Sequence, residues 1–428
     1  MQAAGHKVDY SELSRNWLLL PPCMVGIMLC SLHGYSLGVM IPALETEFGW
    51  LRAQISGGMM IVAMIALFGA PLAGIAVDRF GSRRIALAGI LVFSAALALL
   101  STATSDVRTW WLLWALLALG NMMILPTVWA KAINGRFDRN RGAALALALC
   151  GTGIAAAFAP SLTQWLVAQY GWRHAYVVLA LLGAGITFPI AWFLFHPLDR
   201  GAVVAEQAGP APVLTGYTVR EGLRTPSFYK LAFAIWLFSV SICALTTNAF
   251  PVLLAQGLTP QVAAATAGLM GIGSIGGRLL GGVLLDRFAA GKVGAASVCF
   301  PCVTVLLLLA FPGSALAAGL ACLILGLAIG TEVDCCAYLA GRHLGLKSFG
   351  ALFGTMNGLM LFGNGIAPVL ANHIYDLTKS YHIVLWAQIP ACLATAVLFL
   401  MLGKYPDFGG ADSEPAPASP TVSPAPAT

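Results

Sequence analysis

Apolar runs of about 20 residues or more recur along the whole of this 428-residue chain. Each can cross the roughly 30 Å hydrocarbon core of a bilayer as a helix. Within that core a backbone must satisfy its own N–H and C=O groups, which restricts such a chain to membrane helices. The runs lie near 17–43, 53–77, 84–104, 109–131, 141–168, 174–195, 228–254, 261–285, 293–312, 315–340, 348–373 and 382–403. Only 9% of residues are charged, against about 25% in soluble domains. The sequence therefore predicts an all-α membrane protein with twelve spans. The net charge of +6 is not a nucleic-acid signature, because the basic residues sit in short loops between apolar runs. The ten cysteines fall mostly within those runs and lack zinc or disulfide-framework spacing, so they read as small packing residues.

Basic residues set the orientation. With the N-terminus inside, 18 Lys and Arg are cytoplasmic, four (Arg52, Arg108, Arg173 and Lys379) are outside, and Arg278 lies within a span. The positive-inside rule then places both termini in the cytoplasm. The polar N-terminus (Met1 to Trp17) lacks the apolar core of a cleavable signal peptide. Residues 196–226, with Pro197, Pro210 and Pro212, break the pattern and divide the spans six and six. The expected organisation is a six-helix half over 1–195, a cytoplasmic loop over 196–226, a second half over 227–403, and a disordered Pro/Ala/Ser-rich tail over 404–428. Trp110, Trp111, Trp172 and Trp192 lie near span ends and read as interfacial belt residues.

The halves repeat. A shift of 208 residues places Gly74 on Gly282 and Asp78-Arg79-Phe80 on Asp286-Arg287-Phe288. The same shift places Arg139 on Lys347, Gly142 on Gly350 and Pro160 on Pro368. Two parallel halves imply a pseudo-two-fold axis along the membrane normal and a substrate site near the midplane between them.

Arg278 departs from this repeat, because its counterpart is Ala70. It lies eight residues before Asp286, roughly 12 Å of helix. A guanidinium at such depth costs about 2.5–3.5 kcal/mol on insertion scales. It keeps its proton, which suits anion recognition. Asp334 lies eight residues before Arg342, and Glu332 two residues earlier, so both acids share the depth of Arg278. Their spacing puts them about 200° apart around a helix. At least one is expected to carry a proton or to pair with Arg278; the other reading is acids that bind helix ends or loops. Asn121, Asn248, Asn357 and Asn364 are polar groups in apolar spans that suit either a cavity or inter-helix hydrogen bonds. His33 and Tyr35 in the first span are further candidates.

The stretch GIAVDRFGSRR (Gly74 to Arg84) matches the loop between the second and third helices of the major facilitator superfamily, and GGVLLDRFAAGK is a degenerate second copy. The resemblance implies a cytoplasmic latch made by Gly74, Asp78, Arg79, Gly81, Arg83 and Arg84, with Asp286 and Arg287 in the second copy. Gly74 would permit close helix approach. FGWLRAQIS (Phe48 to Ser56), the segment from Phe137 to Tyr176 and GTEVDCCAYLAGRHLGLKSFG (Gly330 to Gly350) resemble the monocarboxylate-transporter-like branch and its oxalate/formate-antiporter-like members. In that branch an arginine on the eighth helix binds the substrate carboxylate, and Arg278 stands there. Ser274 replaces the aspartate that animal members carry one turn earlier. The first span has His33 and no lysine, and the eleventh has no second cation between Lys347 and Lys379.

The expected protein is a major-facilitator-fold secondary transporter of a small organic monoanion in the inner membrane, monomeric, without cofactor and without nucleic acid. Arg278, Asn121, Asn248, Ser274, His33 and Tyr35 would contact substrate, and Glu332 or Asp334 would couple a proton. Anion exchange, or transport of larger organic anions or amphipathic compounds, is the alternative. No metal cluster, nucleophile elbow or phosphate loop marks an enzyme.

Overall fold

The protein is described from a computed structural model covering residues 11–137, 140–197, 215–288, 290–345, 347–403, 405–406 and 408, without the side chains of residues 11, 285, 286, 332 and 333. The helices are α1 (Ser11–Asn16), α2 (Leu20–Phe48), α3 (Arg52–Phe80), α4 (Ser82–Leu99), α5 (Val107–Met122), α6 (Pro126–Arg136), α7 (Arg141–Leu194), α8 (Val219–Gly222), α9 (Pro226–Thr247), α10 (Ala249–Ala255), α11 (Pro260–Arg287), α12 (Ala290–Ser297), α13 (Phe300–Ala310), α14 (Ala315–Leu344), α15 (Phe349–Thr378) and α16 (His382–Leu400). One isolated bridge, Gly216 to Gly345, ties the end of the central segment to the end of α14.

The chain is an all-α, multi-span membrane protein. Ten helical stretches among the described residues are long and apolar enough to cross a bilayer, against twelve runs in the sequence. Two physical causes account for the difference. The runs at 141–168 and 174–195 join into α7, whose 54 residues are interrupted at Gly171 (φ 78°, ψ 163°). That length is about 80 Å of helix, more than twice the hydrocarbon core. The run at 348–373 lies in α15, which is not among the ten and carries Asn357, Asn364, Asn372 and Asp376. Other runs are broken within their length. Met123–Leu125 separates α5 from α6, and Asn248 separates α9 from α10.

Helices in lipid gain little from hydrophobicity against one another, so close packing of small residues has to join them. Glycines supply it. A Cβ on Gly151 of α7 would lie 2.1 Å from the Met24 carbonyl oxygen of α2. One on Gly271 of α11 would lie 2.3 Å from the Ala157 nitrogen of α7. One on Gly365 of α15 would lie 2.4 Å from the Ala63 side chain of α3. Helices before the central segment thus meet helices after it along α7–α11 and α3–α15.

The tryptophans divide differently from the expected belt. Trp111 and Trp192 are exposed, but Trp110 and Trp172 are buried. The Trp110 indole donates to the Ile55 carbonyl, and Trp172 donates to Glu47. Their indole N–H groups find acceptors inside the bundle, which suits the residue as well as an interface does. Seven of the ten cysteines are buried, where small packing residues belong.

At the end bearing the turns 49–51 and 379–381, polar groups join α3 to α15. The Asp376 carboxylate accepts from the backbone N–H groups of Arg52 (3.0 Å) and Ala53 (2.9 Å), the first turn of α3. A carboxylate there also meets the positive end of the helix dipole. The Arg52 guanidinium pairs with Glu45 at 2.9 Å, donates to the Tyr381 hydroxyl at 3.1 Å and stacks 3.8 Å over Tyr375. Tyr381 donates to Asn372, which donates to Ser56 at 2.6 Å. Burial pushes the Tyr381 phenol up to about 12, so it remains a hydrogen-bond donor at neutral pH. At the opposite, basic end, Gly74, Gly142, Gly282 and Gly350 have nothing within 4 Å of a would-be Cβ. The close approach expected of Gly74 is therefore not seen among the described residues.

Candidate functional site

Arg278 owes its position to a stripe of glycines. Gly273 and Gly277 on α11 face Gly326 and Gly330 on α14. A Cβ on Gly277 would lie 2.3 Å from the Leu327 carbonyl oxygen, and one on Gly330 would lie 2.2 Å from the Ser274 carbonyl oxygen and 2.6 Å from the Arg278 nitrogen. Backbones in contact leave no room for side chains at the crossing, so the next turn on each helix forms the first side-chain layer. Asp334 lies four residues beyond Gly330 and so shares its face. Its Oδ1 sits 3.5 Å from the Arg278 Nη1.

This pair is asymmetric. The Arg278 side chain is 5% exposed and the Asp334 side chain 33%. A separation of 3.5 Å also exceeds the ~2.7–2.9 Å of a strong charge-assisted bond. Arg278 has five donor hydrogens, and among the described residues this long contact is its one hydrogen bond. Among the described residues the guanidinium is thus enclosed and weakly engaged, while Asp334 reaches solvent. Of the other acid on α14, Glu332, the side chain lies outside those described. Ser274 is buried one turn before Arg278, with its backbone against Gly330.

The bundle also holds a cavity of about 350 Å³. It lies between α2, α3, α5, α6, α9, α14 and α15, and includes His33, Tyr35, Asn121, Thr246, Ile329 and Asn364. Arg278 and Asp334 are not among its lining residues. Ile329 is, and it immediately precedes Gly330, which packs on the Arg278 backbone. His33 and Asn121 line it as buried groups. Asn248 does not line it: that side chain is fully buried at the α9–α10 break and donates to the Ala244 carbonyl at 2.9 Å. Thr246 was not legible as a lining residue, because an apolar span gives no sign of which face meets the cavity.

The residues expected to form a latch are spread over several contacts. Asp78 pairs with Lys131 of α6 at 2.6 Å, and Lys131 also donates to the Val77 carbonyl. Arg83 donates to the Trp192 carbonyl at 2.7 Å, and Arg79 stacks over its neighbour Phe80. Gly81 takes φ 84° as it turns the chain from α3 into α4. Arg84 and Arg287 are exposed. The side chain of Asp286 lies outside those described. Arg52, Asp376 and Tyr381, which join α3 to α15, escaped the sequence reading. Arg52 counted there only as one of four outside charges, and its partners Asp376 and Tyr381 lie more than 300 residues away.

Residues 23–368 match the family model described as Major Facilitator Superfamily. The chain belongs to the major facilitator superfamily. It is a membrane transporter and not an enzyme. Among superfamily members, it is 25% identical over 401 residues to the gallate transporter of Pseudomonas putida, covering 83% of this chain and 87% of the relative. It is 24% identical over 373 residues to monocarboxylate transporter 13 of Bos taurus, covering 86% and 83%. The fold is similar to that of a bacterial homologue of the human lysosomal transporter Spinster, with a TM-score of 0.62, 17% identity and coverage of 91% and 95%. Relatives of such different kinds place the chain in the superfamily without singling out a branch of it.

Proposed function

We propose that this major facilitator protein is a secondary active transporter that moves a small organic monoanion, a monocarboxylate, across the inner membrane by alternating access with a proton. Arg278 carries the proposal: it is an enclosed guanidinium whose acidic partner is distant and solvent-accessible. The names of the gallate and monocarboxylate relatives support a carboxylate as cargo. Charge balance supports the proton. In the empty site Arg278 and Asp334 neutralise each other. An arriving carboxylate can replace Asp334 on the guanidinium if Asp334 takes up a proton, so both states carry the same net charge and no bare buried charge appears.

The proposed frame is twelve spans in two six-helix halves, with α7 supplying two spans about Gly171 and α15 another. Both termini are cytoplasmic, and the basic end faces the cytoplasm. The Arg52–Asp376 lock then closes the outside, and the open glycines face inward.

Counterflow with purified full-length protein in liposomes tests the cargo. Labelled monocarboxylates should be taken up under an inward proton gradient and should exchange with unlabelled acid inside. If lactate, pyruvate and related acids are moved in neither mode, the monocarboxylate reading fails. Asp376→Ala tests the lock, because it strips two acceptors from the α3 N-terminus. Spin labels at Thr46→Cys and Leu377→Cys are expected to move apart in the variant; an unchanged distance distribution would show that Asp376 does not hold this end closed.

A further inference from the structure

Arg278 and Asp334 both belong to helices after the central segment. The helix from before it that packs on α11 is α7, and the contacts along the two run in opposite senses. A Cβ on Gly268 would lie 2.5 Å from the Ala157 carbonyl oxygen, one on Gly271 would lie 2.2 Å from the Gly153 carbonyl oxygen, and one on Gly153 would lie 2.7 Å from the Ile275 Cγ1. A step up α11 therefore matches a step down α7. Residues three apart share a helix face. The next turn in this register brings Cys150, three before Gly153, level with Arg278, three after Ile275. The Cys150 thiol accordingly lies within electrostatic reach of both Arg278 and Asp334.

Toward the basic end this layer is the last that is enclosed. Along the same face of α7, Cys150 is buried, Ala146 is half-buried and Ala143 is exposed. On α11, Arg278 is buried, and Gly282 one turn further is exposed with nothing within 4 Å of a would-be Cβ. Arg278 and Cys150 thus sit where the two helices begin to part. A cysteine behaves as a small apolar side chain with a weak S–H donor. It walls the guanidinium from the α7 side without a charge that competes for it, and it takes up less space than any larger apolar residue would.

We infer that Cys150 is a specificity-determining residue of the Arg278 site, contributed by α7: a carboxylate on the guanidinium brings the carbon that bears it against the Cys150 thiol, and the side chain at position 150 limits how bulky that carbon can be. The inference rests on the carboxylate reading of Arg278. One bound acid then touches α7 and α11 together at the point where they part, so helices on both sides of the central segment sense its arrival.

The test uses full-length protein in liposomes with labelled lactate and 2-hydroxyisobutyrate, which differ by one methyl group on the carbon bearing the carboxylate. Wild-type kcat/KM should favour lactate. Cys150→Ala recesses the wall and should raise the 2-hydroxyisobutyrate-to-lactate ratio about tenfold, while Cys150→Leu should lower it about tenfold, the scale on which a pocket resolves one carbon. Cys150→Ser keeps the size and should hold the ratio within about threefold of wild type. A variant that only loosened the fold would lower both acids alike and leave the ratio in place. Variants are compared as monodisperse protein; where the leucine variant does not reach that state, Cys150→Val takes its place. A ratio unmoved by both the smaller and the larger side chain, or moved in the opposite sense, overturns the inference and leaves the carboxylate reading standing. Failure of the wild-type protein to move either acid would instead remove that reading.

Discussion

Arg278→Lys is expected to lower kcat/KM for monocarboxylate transport about 10- to 100-fold, with the protein still folded. Lysine keeps the positive charge but offers a point charge in place of the planar fork that grips both carboxylate oxygens. Hydrogen bonds to charged groups are each worth about 1.5–3 kcal/mol, and about 1.4 kcal/mol is a factor of ten. The loss should be this large because Arg278 is enclosed, so water cannot easily supply the missing contact. Arg278→Ala should be worse, since it removes the positive charge as well as the fork. Asp334→Asn separates binding from coupling. It cannot exchange a proton, so uptake driven by a proton gradient should be abolished while substrate exchange persists. Near-normal transport by Arg278→Lys would show that bidentate recognition is not used. Gradient-driven uptake by Asp334→Asn would remove Asp334 from the proton step.

Gly330→Val should be the most damaging single change to the fold. A Cβ at Gly330 would sit 2.2 Å from the Ser274 carbonyl oxygen and 2.6 Å from the Arg278 nitrogen. Both obstacles are backbone, so no rotamer relieves the clash, and the α11–α14 pair must separate. Overpacking costs about 1–3 kcal/mol where side chains can shift, and occasionally more; backbone on both sides puts this site at or above that upper end. The Gly273, Gly277 and Gly326 contacts would open together, and the Arg278–Asp334 pair with them. The measurement is the yield of monodisperse protein by fluorescence-detected size exclusion. Gly185→Ala is the matched control, since nothing lies within 4 Å of its Cβ position. Equal yields for the two variants would show that this crossing is not tightly packed in the membrane.

The contrast between these sites shows what sequence can carry. The depth of Arg278 was legible from its distance to the next charge, and the same count placed Asp334 level with it. Their pairing was legible only as one possibility. Which acid on α14 meets Arg278 depends on which face α14 turns to α11, and the glycine stripe decides that. Asn121 and Asn248 looked alike in sequence, as single amides in apolar spans. The first reaches the cavity; the second closes a helix break against the Ala244 carbonyl. Trp110 and Trp111 are neighbours, yet one is core and the other is exposed. In lipid both faces of a helix are apolar, so the polarity contrast that reports burial in a soluble helix is missing.

The sequence by itself determined an α-helical membrane protein, the distribution of charge between its two ends, the central break and one costly cation that the internal repeat does not share. These follow from hydropathy and charge, which act locally along the chain. Only the tertiary structure decided that Asp334 partners Arg278, that Asn364 and Asn121 line one cavity, and that Asp376 caps α3 from more than 300 residues away. Such contacts are set by close approaches between backbones, and the glycines that permit them reveal nothing of their partners until the helices have packed.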